Sequence, residues 1–218
     1  FFEAISSCFY DLCSQIHSDY TIIESGLGGM YDTSAVALPI LTVITPISYD
    51  HMDFLGSSIQ EIAFSKSGSI KKGVPCVIGK QTFPEALEIL TDQAEHKKSS
   101  LFIYDRDWAI YEKGDHVIYE DHRNKFEFDK FIRHPSYQIE NLGIAIAAVA
   151  QLSIINIGNF LNEGLHNKTE IVGRFQRIEN KKINKITANN IEIIYDGGHN
   201  ESAALEVSKS IEKLDKKP

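Results

Sequence analysis

The stretch Glu24-Ser25-Gly26-Leu27-Gly28-Gly29-Met30-Tyr31-Asp32 does most to restrict what this chain can fold into. It follows a short β-favouring run, Tyr20-Thr21-Ile22-Ile23, which reads as a buried strand ending at a carboxylate. Sheets of the α/β class bind their ligands just beyond the carboxyl ends of strands. Glycines immediately after the strand let the backbone turn sharply and approach a neighbour or ligand closely. The same logic recurs near the far end of the chain. There Ile191-Glu192-Ile193-Ile194-Tyr195 leads into Asp196-Gly197-Gly198-His199-Asn200 and then a helical pattern that runs to Leu214.

Between these points the pattern alternates. A helical period over 2–16 is followed by the 20–24 run, a second apolar run at 41–45, a helix from Ile59 to Ser65, and a strand at Pro75–Ile78. A helix then spans Phe83–His96, a strand Leu101–Tyr104, short hairpin strands Trp108–Phe128, and a buried helix 142–156. Strands separated by helices predict an α/β fold with a mostly parallel sheet. Asn162-Glu163-Gly164 reads as a linker, and after Gly173-Arg174 a hairpin is expected over 175–188. Asn200 or Ser202 is placed to cap the last helix.

Composition narrows the partners. A net charge of −8 argues against a nucleic-acid or anionic-membrane surface. Cys8, Cys13 and Cys76 form no CxxC pair, and with no secretory signal a reducing cytoplasm is the expected compartment. The apolar stretch Leu142–Leu161 is interrupted by Gln151, Ser153, Asn156 and Asn159, so it predicts a buried helix and no membrane span.

Three groups of residues carry possible chemistry. Asp50-His51 follows the 41–48 region as Glu24 follows the first run, so neighbouring strands would bring Glu24 and His51 to one sheet edge. A carboxylate oxygen suits Mg²⁺, whereas imidazole is a less usual ligand for it. Lys66 lies at a helix end before Gly68, where a lysine also serves the helix dipole. Asp196-Gly197-Gly198-His199-Asn200 opens a helix whose free N–H groups suit phosphate, and Arg174 offers a guanidinium to the same anion.

In this order the motifs resemble the folylpolyglutamate synthase and dihydrofolate synthase family, within the Mur ligase superfamily. The matching residues begin with Glu24–Asp32, Ile44-Thr45 through Asp50-His51, Leu55-Gly56 and Ile62-Ala63. They continue with Lys66-Ser67-Gly68-Ser69-Ile70-Lys71, Gly73-Val74-Pro75, Gly79-Lys80-Gln81, Asn141, Gly173-Arg174-Phe175 and Asp196–Asn200. The resemblance implies a partial P-loop-type ATPase domain over 1–172, followed by the start of a Rossmann-like C-terminal domain over 173–218. It implies an ATP-dependent ligase of folate biosynthesis, which adds L-glutamate to folate or dihydropteroate through an acyl-phosphate intermediate.

By matching position, Glu24 and His51 look like Mg²⁺ ligands and Lys66 like the family's carboxylated lysine. Asn141 looks like the adenine-side contact, Arg174 and Asp196 like further ATP contacts, and His199 belongs to the same signature. Phe1, Phe2 and Glu3, with Tyr31, Asp32 and Thr33, match the surroundings of the pterin substrate. The family is usually monomeric.

The match has departures. The family's P-loop is expected upstream of the Phe-Glu motif, and here that motif stands at residues 2 and 3. The only Gly-Lys pair, Gly79-Lys80, is followed by Gln81 and not by a hydroxyl residue. Met30 stands where the family has Arg, Thr33-Ser34-Ala35 replaces Ala-Thr-Asn, and Ser67 replaces Ala. Two expectations follow. The chain is a folate-type ligase, inactive in isolation, whose remaining segments are encoded nearby or lie outside the sequence given; or it is a non-catalytic remnant or partial chain acting at most as a binding module.

Overall fold

A computed structural model of the chain describes residues 1–129, 135–152, 171–178, 193–212 and 214. The chain divides into two compact units, Phe1–Arg106 and Asp107–Pro218, each described by itself.

The first unit begins with α1 (Phe2–Gln15) and a 3₁₀ turn (Thr33–Val36). Its centre is a three-stranded parallel sheet of β1 (Thr42–Ile44), β2 (Cys76–Ile78) and β3 (Leu101–Ile103), in that order. The short helix α2 (Met52–Leu55) and the longer α3 (Ile59–Ser67) and α4 (Pro84–His96) connect the strands. Helix α3 starts where it does because Ser58 and Glu61 form a reciprocal capping box, and α4 starts at a proline, whose missing N–H costs nothing there. Ile44, Ile62, Ile70, Ile78, Leu90 and Ile103 form the shared core between sheet and helices. The strands are apolar on both faces at β2, as expected of a covered parallel sheet.

The run 20–24 departs from the sequence expectation: it forms no strand. Tyr20, Ile22 and Ile23 are exposed, Ile22 at 94%. A strand needs a hydrogen-bonded neighbour for its backbone groups, and among the described residues this run has none. Strand propensity was present, but the pairing that would use it was not. Helix α1 is likewise amphipathic without burial: Phe2, Ile5, Phe9, Leu12 and Ile16 are all exposed.

The second unit opens with an antiparallel meander of β4 (Trp108–Lys113), β5 (His116–Asp121) and β6 (Lys125–Asp129). Helix α5 (Ser136–Leu152) lies on it, beginning six residues earlier than the 142 start read from the sequence. Gly143 makes that contact possible, because a Cβ there would fall 2.9 Å from Cβ of Ile110 and 3.1 Å from the Trp108 ring. Strands β7 (Gln176–Arg177) and β8 (Ile194–Tyr195) pair antiparallel, and α6 (Glu201–Glu212) follows. The hairpin expected over 175–188 is described only to residue 178, where it pairs with β8. The linker at 162–164, the rest of the 191–195 strand, and the end of the 142–156 helix lie outside the described residues. Among the described residues no helix is long and apolar enough to cross a membrane.

Candidate functional site

In the first unit the glycine-rich loop is built onto the C-terminal end of α3. The Met30 N–H donates to the Ser65 carbonyl at 2.9 Å. A Cβ on Gly29 would fall 2.7 Å from the Lys66 carbonyl, and one on Gly68 would collide with the Met30 backbone. The two glycines therefore permit a close approach that no other residue allows, and the approach joins the loop to the turn that carries Lys66. Lys66 itself is half-buried. Its ammonium has no hydrogen-bond or ion-pair partner among the described residues.

Asp32 closes the loop. Its two carboxylate oxygens accept from the N–H groups of Leu27 (2.9 Å) and Ser34 (2.8 Å). Burial opposes its ionisation, but the Ser34 hydroxyl and the Leu27, Ser34 and Gly26 N–H groups outweigh that and hold the carboxyl below its ordinary value. Thr33 ties the loop to α1, accepting from the Ser6 hydroxyl at 2.8 Å through Oγ1 and from the Tyr10 hydroxyl at 3.2 Å through its carbonyl. The helix bearing Phe1, Phe2 and Glu3 is thus docked on the turn bearing Tyr31, Asp32 and Thr33, with Phe1, Phe2 and Tyr31 exposed. An open groove of about 540 Å³ runs beside Met30 and Tyr31, with Phe54, Leu55, Phe64 and Ile89 on its walls.

The two expected metal ligands are not brought together by neighbouring strands, since the 20–24 run is not a strand. Glu24 is exposed and has no hydrogen-bond or ion-pair partner among the described residues. His51 opens α2 with left-handed backbone (φ 49°), and its ring lies 3.9 Å from the Asp50 carboxylate. Among the described residues, no group of three or more His, Cys, Asp or Glu side chains is arranged to hold a metal ion. That donor set fits Mg²⁺ only in its usual biological form, held by one or two protein groups with phosphates and water completing the sphere.

In the second unit Arg174, Asp196 and His199 converge on one turn. Asp196 accepts from the Phe175 N–H (2.8 Å) and the Tyr137 hydroxyl (2.9 Å) on one oxygen, and from the Gly198 N–H (2.7 Å) on the other. Burial opposes its ionisation, yet the Gly198 and Phe175 N–H groups, the Tyr137 hydroxyl and the Arg174 charge together lower its pKa. The Gly197 N–H donates to the Gly173 carbonyl at 2.8 Å, and the exposed Arg174 sits between Gly173 (φ 75°) and Phe175 (φ 48°). The His199 ring lies 3.1 Å from the Gly197 carbonyl. As expected, Asn200 caps α6, accepting from the Ala203 N–H at 2.8 Å. Asn141 is exposed on α5.

No family model matches the chain. It is 32% identical to the dihydrofolate synthase/folylpolyglutamate synthase of Haemophilus influenzae over 98% of its own length and 49% of the relative's. It is 29% identical to the protein of that name in Bacillus subtilis, over 97% of this chain and 49% of the relative. The apo form of L. casei folylpolyglutamate synthase matches with a TM-score of 0.81 at 26% identity, covering 100% of this chain and 52% of that one. The chain belongs to the folylpolyglutamate synthase/dihydrofolate synthase family. It spans about half the length of the curated family members it matches.

Four residues were given no role by the sequence reading, although Lys71 lies within a matching motif. Tyr137 and Gln138 lie on the first turn of α5; Gln138 donates to the Arg174 carbonyl at 3.3 Å. The available signal was spacing: Tyr137 and Gln138 precede Asn141 by four and three positions, so all three share one helix face. Lys71 donates to the carbonyls of Ala35 (2.8 Å) and Gly68 (3.3 Å), and Lys97 to those of Ser67 (3.1 Å) and Ile70 (2.8 Å). These ammonium groups satisfy carbonyls at the end of α3, where the helix dipole favours positive charge. Burial, and then the charge of Lys71, draws the Lys97 pKa down.

Proposed function

We propose that this chain carries the acceptor-side and nucleotide-side elements of a cytoplasmic ATP- and Mg²⁺-dependent ligase that adds L-glutamate to folate or dihydropteroate. The observation that carries this reading is the Asp196 turn, which gathers the Arg174 guanidinium, the His199 ring and the N-terminus of α6 into one donor-rich surface. Such a surface suits a nucleotide's phosphates. A solved folylpolyglutamate synthase in complex with AMPPCP and folate, matching 98% of this chain at 26% identity and a TM-score of 0.82, supports it.

In this reading 1–172 and 173–218 are the ligase and Rossmann-like portions. Arg174 and the α6 N–H groups orient the phosphates, Asn141 lies toward the base, and Glu24 and His51 offer metal ligands. When bound, ATP and Mg²⁺ supply the phosphoryl group and neutralise its charge. The acceptor carboxylate becomes an acyl phosphate, from which the glutamate amine displaces phosphate. Phe1, Phe2, Glu3, Tyr31, Asp32 and Thr33 hold the acceptor. The groove beside Met30 is mostly apolar, with Gln60, Glu61 and Ser65 also on its lining, so there the acceptor is held chiefly by contact area and shape, without a guanidinium's five donors. Lys66, half-buried at the loop, is carboxylated in this reading, its neutral amine adding to CO2 with loss of a proton.

A second reading is a binding module without catalysis. Calorimetry with AMPPCP and Mg²⁺, followed by glutamate-addition assays on dihydropteroate and tetrahydrofolate, separates the two. We expect nucleotide binding and no turnover by the 218-residue chain, with turnover restored by a separately supplied polypeptide bearing a G-x-x-G-K-[ST] segment. Turnover by the chain alone overturns the expected inactivity, and absence of nucleotide binding overturns the ligase reading. An intact mass lacking the added carboxyl on Lys66 removes the carbamate.

A further inference from the structure

Asp196 does more than its place in a motif indicates. Its carboxylate is the common acceptor for three segments of the second unit: the first turn of α5 through Tyr137, the 173–175 turn through Phe175, and its own loop through Gly198. Two of these donors are backbone N–H groups and stay in any variant. The third, the Tyr137 hydroxyl, is the sole side-chain donor among those three bonds, and it comes from 59 residues away. Beside it, Gln138 holds the Arg174 carbonyl at 3.3 Å.

We infer that Tyr137 is a positioning residue for the nucleotide side of the proposed ligase: its phenol holds Asp196, and through Asp196 the Arg174 and Gly197–His199 backbone, in the arrangement that receives phosphate. The inference rests on the ligase reading above. A carboxylate with both oxygens engaged by fixed donors has little freedom to rotate, so the donors define its plane. Burial, then the Asp196 hydrogen bond and charge, push the Tyr137 phenol up to about 12, so it remains a protonated donor at neutral pH. Asp196 then organises the guanidinium and N–H groups that meet the ligand.

The test compares the chain with its Tyr137→Phe variant, using AMPPCP–Mg²⁺ affinity and amide hydrogen exchange at Phe175 and Gly198. Loss of a hydrogen bond to a charged acceptor predicts affinity weaker by on the order of tenfold, with similarly faster exchange at both amides. Tyr195→Phe removes a hydroxyl from the exposed ring next to Asp196 and should leave both readouts unchanged. Unchanged affinity or unchanged exchange in Tyr137→Phe overturns the inference, as does an equal effect from Tyr195→Phe. If the unaltered chain fails to bind AMPPCP, the ligase reading falls. Exchange at Phe175 and Gly198 then decides the role of Tyr137 alone, with faster exchange upholding its hold on the turn and unchanged exchange ending it.

Discussion

The loops at 24–32 and 196–200 are written in the same sequence idiom, an apolar run, a carboxylate and then glycines, but the chain builds them differently. At 196 the preceding run forms β8, paired with β7, and the carboxylate at its end is gripped by three donors. At 24 the preceding run is unpaired and Glu24 is exposed. The loop is closed instead by Asp32 at its far end and by glycines pressed against α3. A carboxylate becomes an organiser where its strand is paired and donors are already fixed around it. Where the run finds no partner among the described residues, another residue takes the task, and Glu24 is left exposed.

The comparison can be broken most sharply at its glycines. Gly68→Ala drives a Cβ into the Met30 backbone and should destabilise the first unit by about 3 kcal/mol. At Gly197 the added carbon would meet the flexible end of Arg174 at 3.0 Å, so Gly197→Ala should cost about 0.5 kcal/mol or less in the second. Denaturant unfolding followed by the fluorescence of Trp108, the single tryptophan, reads the second unit, in which it is buried. Amide exchange along α3 follows the first. Equal losses would show that the two loops are held in the same manner.

A smaller effect separates the carboxylates. Asp196→Ala leaves the Phe175 and Gly198 N–H groups without their acceptor and should cost about 2 kcal/mol. Asp32→Ala removes the acceptor at the 3₁₀ turn's N-cap and should cost about 1 kcal/mol. Glu24→Ala should stay within about 0.5 kcal/mol, as for a surface change that removes no contact. A loss at Glu24 matching that at Asp196 would refute the contrast.

The smallest effect is in acid. Asp32 and Asp196 both have folded pKa values below the unfolded one. Each therefore contributes stability that is complete above the unfolded value of about 3.9 and is lost as pH falls through the lower folded value. Asp196→Asn and Asp32→Asn should flatten the acid limb of a stability–pH curve below about pH 4, whereas Glu24→Gln should leave it as it was. An acid limb unchanged by either aspartate variant would count against their roles as organisers.

The sequence disclosed what is local or periodic. Helices α3 and α4 followed from their apolar spacing, β1, β2 and β3 from short runs of strand-favouring residues, and Asn200 from its place before a helix. The 20–24 run misled because strand propensity says nothing about whether a partner is present, and pairing is a non-local property. Spacing puts Tyr137 on the Asn141 face, but its acceptor was illegible for the same reason: nothing near it in the chain announces a carboxylate 59 positions on. The roles of Lys71 and Lys97 escaped because each ammonium serves carbonyls around Ser67–Ile70 that become orphans only once α3 ends where it does.

Phe175 carries a last consequence. Its ring is 7% exposed, while its N–H reaches Asp196, and a left-handed backbone at that single residue serves both directions at once. Grease and charge are thereby geared together: trimming the ring in Phe175→Ala alters no polar group, yet it would loosen the turn that presents the Phe175 N–H to the carboxylate. A change in how oily atoms fit would then be felt as a change in acidity at Asp196.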